Sequence, residues 1–208
     1  MKAALAIPHV VRVVVVDDAS SDDTADRAAS AGADVLRLER NVGKGAALQA
    51  GLERTRLGGD AVLLLDGDLG ETASQGALLL GPVLAGGADM TIARFPKPAN
   101  KAGFGLVMRL ARWGIRRYGR VDFLATAPLS GQRALSPHAV DAVMPFASGY
   151  GVEVAMTSHA LRAGLRVLEV DTTMAHAATG RDIAGFVHRG RQFADVASAL
   201  LALRRELR

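Results

Sequence analysis

Three clusters of side chains could carry chemistry: Asp17-Asp18, Asp66-Gly67-Asp68 and the loop Asn41-Val-Gly-Lys44-Gly45. Alternate carboxylates at Asp66 and Asp68 can offer one acid to a divalent cation and the other to a ribose hydroxyl or a metal-bound water. Gly67 between them lets a ligand come close to the backbone. A solvated turn with capping acids would have the same composition. However, the triplet follows the apolar run Val62-Leu-Leu-Leu65, and Asp17-Asp18 follows Val13–Val16 in the same way. Asp17-Asp18 can accept from a nucleobase ring N–H, or simply cap a helix. The glycine loop presents backbone N–H groups and Lys44 at a helix start, which favours an anion. It lacks the spacing of a Walker loop, and an ordinary glycine turn with a surface lysine would read alike. His176 could complete an oxygen-ligand site for an Mn²⁺-like ion, although a single histidine is more often structural. His138 and His159 fall in helical stretches as surface or core residues, and His188 falls in a basic tail as a solvated or acid-paired one.

These groups need elements to hold them. Apolar runs without polar alternation fit strands covered on both faces, as in a parallel sheet. Ligands of open α/β sheets bind at the carboxyl ends of such strands. The pattern predicts strands over Val10–Asp18, Asp34–Leu38, Ala61–Leu65, Asp89–Ala93 and Arg166–Val170. It predicts helices over Thr24–Ala31, Ala46–Arg56, Glu71–Ala85, Leu106–Arg117, Val152–Ala163 and from Ile183 onward, with a helical turn at Pro137–Val143. Ser20, Ser21 and Asp22 are candidate caps for the first of these. Phe95–Gly105, holding Pro96, Pro98, Gly103 and Gly105, reads as a loop.

Composition bounds the rest. The chain has 208 residues, half of them apolar and 22% charged, which suits one globular domain with a sizeable core rather than a disordered segment. Aromatics are only 4%, so Ala, Val and Leu must fill that core. Cysteine is absent, which excludes disulfides and thiolate metal sites. No apolar stretch reaches membrane-spanning length, and Met1–Pro8 is too short for a secretory signal, so a cytoplasmic protein is expected. Acids gather in the first third and arginines in 109–120 and 181–208, which fits a metal site in one half and an anion or anionic surface met by the other. The stretch Leu106–Arg120, with Trp113 and Tyr118 among five arginines, is either a solvated face or a contact for phosphate or an anionic membrane. No nucleic-acid-binding module pattern is present.

The ordered set Val-Val-Asp17-Asp18-Ala-Ser20-Ser-Asp22-Asp-Thr24, Asn41-Val-Gly-Lys44-Gly45 and Asp66-Gly67-Asp68 resembles family-2-type glycosyltransferases of the GT-A fold. Pro128-Leu-Ser130-Gly131-Gln132-Arg133 and Pro145-Phe-Ala-Ser-Gly149-Tyr150-Gly151-Val-Glu153 are similar to later motifs of glucosyl-3-phosphoglycerate synthases. The first of these is also similar to a segment of polyprenyl-phosphate mannose synthases. The resemblance implies an α/β fold with a mostly parallel sheet flanked by helices, a nucleotide-binding half over about 1–95 and an acceptor-side half over about 96–208. That family opens with a strand and a helix, and Lys2–Ile7 here corresponds to the last turn of that helix, so the expected fold lacks the first strand.

By the same resemblance, Asp17, Asp18, Ser20, Lys44, Asp66 and Gly67 bind the nucleotide, with Asp18 near the base, Lys44 reaching towards the nucleotide and Asp66 at the ribose. Asp68 and His176, with Asp66, hold Mg²⁺ or Mn²⁺. Gly103, Gly105, Ser130, Gly131, Gln132, Arg133, Tyr150 and Glu153 face the acceptor. The implied reaction moves a sugar from a UDP-linked donor to a small or lipid-linked, phosphate-bearing acceptor. The stretch Ala102–Val107 lacks the Arg and Thr of the phosphoglycerate enzymes, so a larger or more apolar acceptor fits Phe104 and Leu106 better. No catalytic base is identified, and inversion or retention stays open. The competing readings are a sugar-phosphate nucleotidyltransferase, whose glycine-rich, Arg- and Lys-bearing first loop this chain lacks, and an inactive domain that pairs with itself. Homodimerisation and peripheral membrane contact are further expectations.

Overall fold

The computed structural model describes residues 1–55, 58–96, 105–176 and 183–207, the side chains of 183–191 excepted. Gly103 and Phe104, with most of the loop expected over Phe95–Gly105, lie outside the described residues, as does His188 in its side chain. The chain begins with α1 (Lys2–Leu5), β1 (Val14–Asp17), α2 (Thr24–Ser30), β2 (Asp34–Arg37), α3 (Lys44–Thr55) and β3 (Val62–Leu64). A 3₁₀ turn over Gly70–Gln75 leads into α4 (Gly76–Leu84), followed by β4 (Met90–Arg94), α5 (Gly105–Gly119), β5 (Arg133–Leu135) and α6 (Pro137–Val143). A second 3₁₀ turn, Gly149–Gly151, opens α7 (Val152–Arg162), and β6 (Val167–Asp171) and α8 (Ile183–Glu206) complete the chain.

The strands form two sheets that share no ladder among the described residues. β1 and β2 pair in parallel, and the larger sheet runs β3-β5-β4-β6. β4 and β6 are parallel, while β5 is antiparallel to both of its neighbours. Three strands of the larger sheet therefore point one way, as the sequence implies, with β5 set against them. The sequence pattern does not reveal β5: it is three residues long and follows buried Gln132, so no apolar run marks it.

Side chains of the larger sheet alternate between two cores, as a period of two requires. Leu64, Met90, Ile92 and Leu135 face α3, α6 and α7, whereas Leu63, Ala93 and Ala134 face α1 and α4. α7 is buried on nearly every side, because Val152 and Met156 enter the first cluster while Val154 and Leu161 enter a third with α5 and α8. Burying one such side chain contributes roughly 2 kcal/mol.

Several boundaries differ from the sequence reading. Val14, Val15 and Val16 are half-buried rather than buried, since β1 pairs with β2 alone and α2 and α3 cover it only in part. α2 has Asp23 at its N-cap with no side-chain bond there, and Asp22 accepts from Thr24 N at 3.0 Å instead. Gly105, expected in a loop, is the first residue of α5. α6 has the expected chemistry, with Pro137 in its first turn and Ser136 Oγ accepting from Ala139 N at 3.1 Å. No helix among the described residues is long and apolar enough to cross a membrane.

Candidate functional site

The acids Asp66 and Asp68 sit just past the carboxyl end of β3, where strand direction and the glycine between them hold both carboxylates at the sheet edge. Lys44 is the first residue of α3 and Glu153 lies in the first turn of α7. Lys44 Nζ stands 2.9 Å from Asp66 Oδ1 and 2.8 Å from Glu153 Oε1. Gln132 Nε2 donates to the other Asp66 oxygen at 2.7 Å. Gly131 makes this packing feasible: a Cβ there would lie 2.5 Å from Lys44 Nζ and 3.0 Å from Asp66 Oδ2.

Electrostatics hold Lys44 and Asp66 in their charged forms. Burial works against the Lys44 ammonium, but Glu153 and Asp66 outweigh it and raise the lysine to about 12. Burial likewise works against the Asp66 carboxylate, yet Lys44, Gln132 and His176 bring it below its ordinary range.

Two loops deliver Lys44. Asp18 accepts from Val42 N at 2.7 Å and Gly43 N at 2.9 Å, and Asn41 Nδ2 donates to the Asp18 carbonyl at 3.3 Å. Asp17 accepts from Ser20 N at 3.1 Å, fixing the turn after β1. On the other side, a Cβ on Gly45 would run into the Ala147 carbonyl, and Phe146 N donates to Gln49 Oε1 at 3.1 Å. The start of α3 is thus seated against the segment that leads to Glu153. Tyr150 N in turn donates to Asp195 Oδ2 of α8 at 3.0 Å, and burial raises the Tyr150 phenol.

His176 reaches the acids from beyond β6. Its Nδ1 lies 2.9 Å from Asp68 Oδ1, and its ring stacks on Phe95 at the end of β4, with centroids 4.8 Å apart. Three ties bring that segment to the acidic tip: Thr72 Oγ1 bonds Ala175 N at 3.2 Å, Gln75 accepts from Thr173 N at 2.7 Å, and Gln75 Nε2 donates to Thr173. One donor atom from each of Asp66, Asp68 and His176 lies within 4.8 Å of the others. Two carboxylate oxygens and one imidazole form a donor set suited to Mn²⁺ and, through the oxygens, to Mg²⁺. Both Asp66 oxygens already have partners, so Asp68 and His176, each 45% exposed in the side chain, are the more available donors.

Gln132 and Arg133, expected on the acceptor side, are both fully buried, Gln132 just ahead of β5 and Arg133 at its start. Arg133 Nε donates to the Ser130 carbonyl at 2.9 Å and Nη1 to Thr157 Oγ1 at 2.9 Å. Burial pulls its guanidinium down to about 10, against the pull of Glu153 and Glu169. These two residues support the site from beneath. Phe95 and Asp195 are contributors that sequence reasoning missed. Phe95 had a signal, as an apolar residue at a strand tip beside other strand-tip ligands. Asp195 is one polar residue in a long helix and had none.

Known proteins resemble this chain in sequence and in fold. Residues 2–135 match the model of glycosyl transferase family 2. The glucosyl-3-phosphoglycerate synthase of Mycolicibacterium paratuberculosis is 32% identical over 166 residues, covering 71% of this chain and 50% of the relative. The chain spans about half the length of the curated relatives it matches. The glucosyl-3-phosphoglycerate synthase of Mycobacterium tuberculosis, solved with phosphoglyceric acid, superimposes with a TM-score of 0.72 at 29% identity, over 93% of this chain and 69% of that one. The same enzyme with Mn²⁺ and UDP-glucose gives 0.70 at 28% identity, over 91% and 67%. These likenesses bear out the expected GT-A fold. By its sequence over most of its length and by the shape of its sheet and helices, the chain belongs to glycosyl transferase family 2.

Proposed function

We propose that the protein transfers a sugar, glucose in the first instance, from a UDP-linked donor to a phosphate-bearing acceptor, assisted by Mn²⁺ or Mg²⁺. The observation that carries this reading is the cluster Asp66, Asp68 and His176, held against half-buried Lys44 and its buried partner Glu153. Complexes of the Mycobacterium tuberculosis synthase with UDP-glucose and Mn²⁺, and with phosphoglyceric acid, support the donor and the acceptor class.

Asp68 and His176, with Asp66, would hold the cation, which when bound would neutralise charge on the departing diphosphate. Asp66 stays ionised because Lys44 and Gln132 bind its two oxygens. Lys44 remains cationic and adds positive potential where the anionic leaving group collects. Asp17, Asp18, Ser20 and Gly67 line the nucleotide side, where Asp18 also fixes the loop that places Lys44. Gly105, Ser130, Gly131, Tyr150 and Glu153 form the acceptor side, and Glu153 also orients Lys44.

The test is transfer from UDP-glucose to matched acceptors with and without a phosphate. The proposal expects turnover only with phosphorylated acceptors and loss of turnover on chelation. Equal use of unphosphorylated acceptors would remove the acceptor assignment, and no use of any UDP-sugar would remove the donor assignment.

A further inference from the structure

The outward stripe of α5 has no place in this chemistry. Leu106, Arg109, Trp113, Arg116, Arg117 and Arg120 fall at spacings of three and four, on one side of the helix and the residue after it. The opposite stripe, Val107, Ala111, Gly114, Ile115 and Tyr118, is buried against α7 and α8. The outward residues are exposed, Leu106 by 65% and Trp113 by 54%. The loop beyond the helix is tied back to it by Arg112, which donates to the Ala125 and Thr126 carbonyls at 3.0 and 3.2 Å. That loop leaves Val121 and Leu124 exposed as well. Asp122 is the sole acid between residues 105 and 125, and it reaches Arg116 only at 4.0 Å.

We infer that this stripe seats the protein on an anionic phospholipid surface. A merely solvated face needs neither an exposed indole nor exposed leucines. An acidic peptide would satisfy the arginines alone. A lipid surface satisfies both halves of the pattern: phosphate-bearing headgroups meet the guanidinium groups while Trp113 and Leu106 enter the headgroup–acyl boundary. The charge of the stripe is complementary to that surface. The inference stands apart from the proposed transfer reaction, and its test uses no turnover.

Trp113 is the only tryptophan in the chain, so its emission reports on this face directly. The experiment mixes the full chain with phosphatidylcholine vesicles that either contain or lack about one-third phosphatidylserine. The inference expects a blue shift of Trp113 emission and co-sedimentation with the anionic vesicles only, reversed by high salt. The double variant Arg109→Gln/Arg116→Gln, checked for folding by circular dichroism, should partition about 30-fold less well. Leu106→Gln should also weaken binding while leaving the charge intact. Absence of a shift, equal binding to the uncharged vesicles, or wild-type binding by the double variant would overturn the inference. A blue shift that grows with protein concentration in the absence of vesicles would overturn it too, by assigning the face to a second copy of the chain.

Discussion

At Lys44, burial and charge act in opposite directions, and charge prevails. The ammonium's pKa moves from 10.5 to about 12 because Glu153 and Asp66 flank it. A folded-state value above the unfolded one means that the pair's stabilisation is complete below 10.5 and is lost as pH rises through 12. Asp66 is shifted downward, so its contribution is present above 3.8 and disappears as pH falls through its lower folded value. Lys44 and Asp66 therefore both keep their charges around neutrality. Removing Lys44 leaves Glu153, 4% exposed in its side chain, as an unpaired buried charge. Lys44→Met should cost about 3 kcal/mol in urea unfolding, and Lys44→Met/Glu153→Gln should recover at least half of that. Additive losses in the double variant would show that the pair is not coupled. Asp66, Asp68 and His176 were legible in the sequence because reactive residue types stood at the ends of apolar runs. The inward course of Gln132 and Arg133 was not, since polar residues in a central strand carry no sign of the face they choose.

Among elements, α8 governs the site from a distance. Asp195 fixes the backbone of Tyr150, three residues before Glu153, and the 146–147 segment abuts the start of α3. Removing the Asp195 carboxylate takes away the acceptor of the Tyr150 N–H bond in a partly buried place. Asp195→Ala should lower stability by about 1–2 kcal/mol in thermal unfolding and weaken donor binding, whereas Asp195→Asn, which keeps an acceptor oxygen, should stay close to wild type. Equal losses in both variants would contradict this account. The helices were largely legible, since α3, α6 and α7 lie within two residues of their expected starts and α8 begins at the expected Ile183. Strand β5 was not legible, because three residues with Arg133 among them give no period to read.

For the whole molecule, the larger sheet contributes to all three apolar clusters and α7 to two of them, so the site rests on a continuous scaffold. The edge of that sheet is tied by Asp89, which accepts from Arg166 N at 2.8 Å and from Arg166 Nε at 3.1 Å. These bonds lower the Asp89 pKa, so their contribution is present above 3.8 and fades as pH falls through the folded value. Asp89→Asn should cost about 1 kcal/mol at neutral pH, and the difference from wild type should close as pH falls from 3.8 through the lower folded value. A constant difference across that range would exclude an ionic contribution. The family was legible from ordered motifs alone, since strand tips and helix starts recur at set intervals along the chain. The joining of α8 to the site was not, because it depends on contacts between residues far apart in sequence. The central claim is that Asp68 and His176 hold a cation for a uridine diphosphate. Calorimetric titration with UDP and Mn²⁺ tests it most directly, on the wild type, on Asp68→Ala and on the wild type with the metal chelated. The account predicts binding by the wild type with Mn²⁺ and at least tenfold weaker binding in the other two cases. Equal UDP affinity in all three would contradict it.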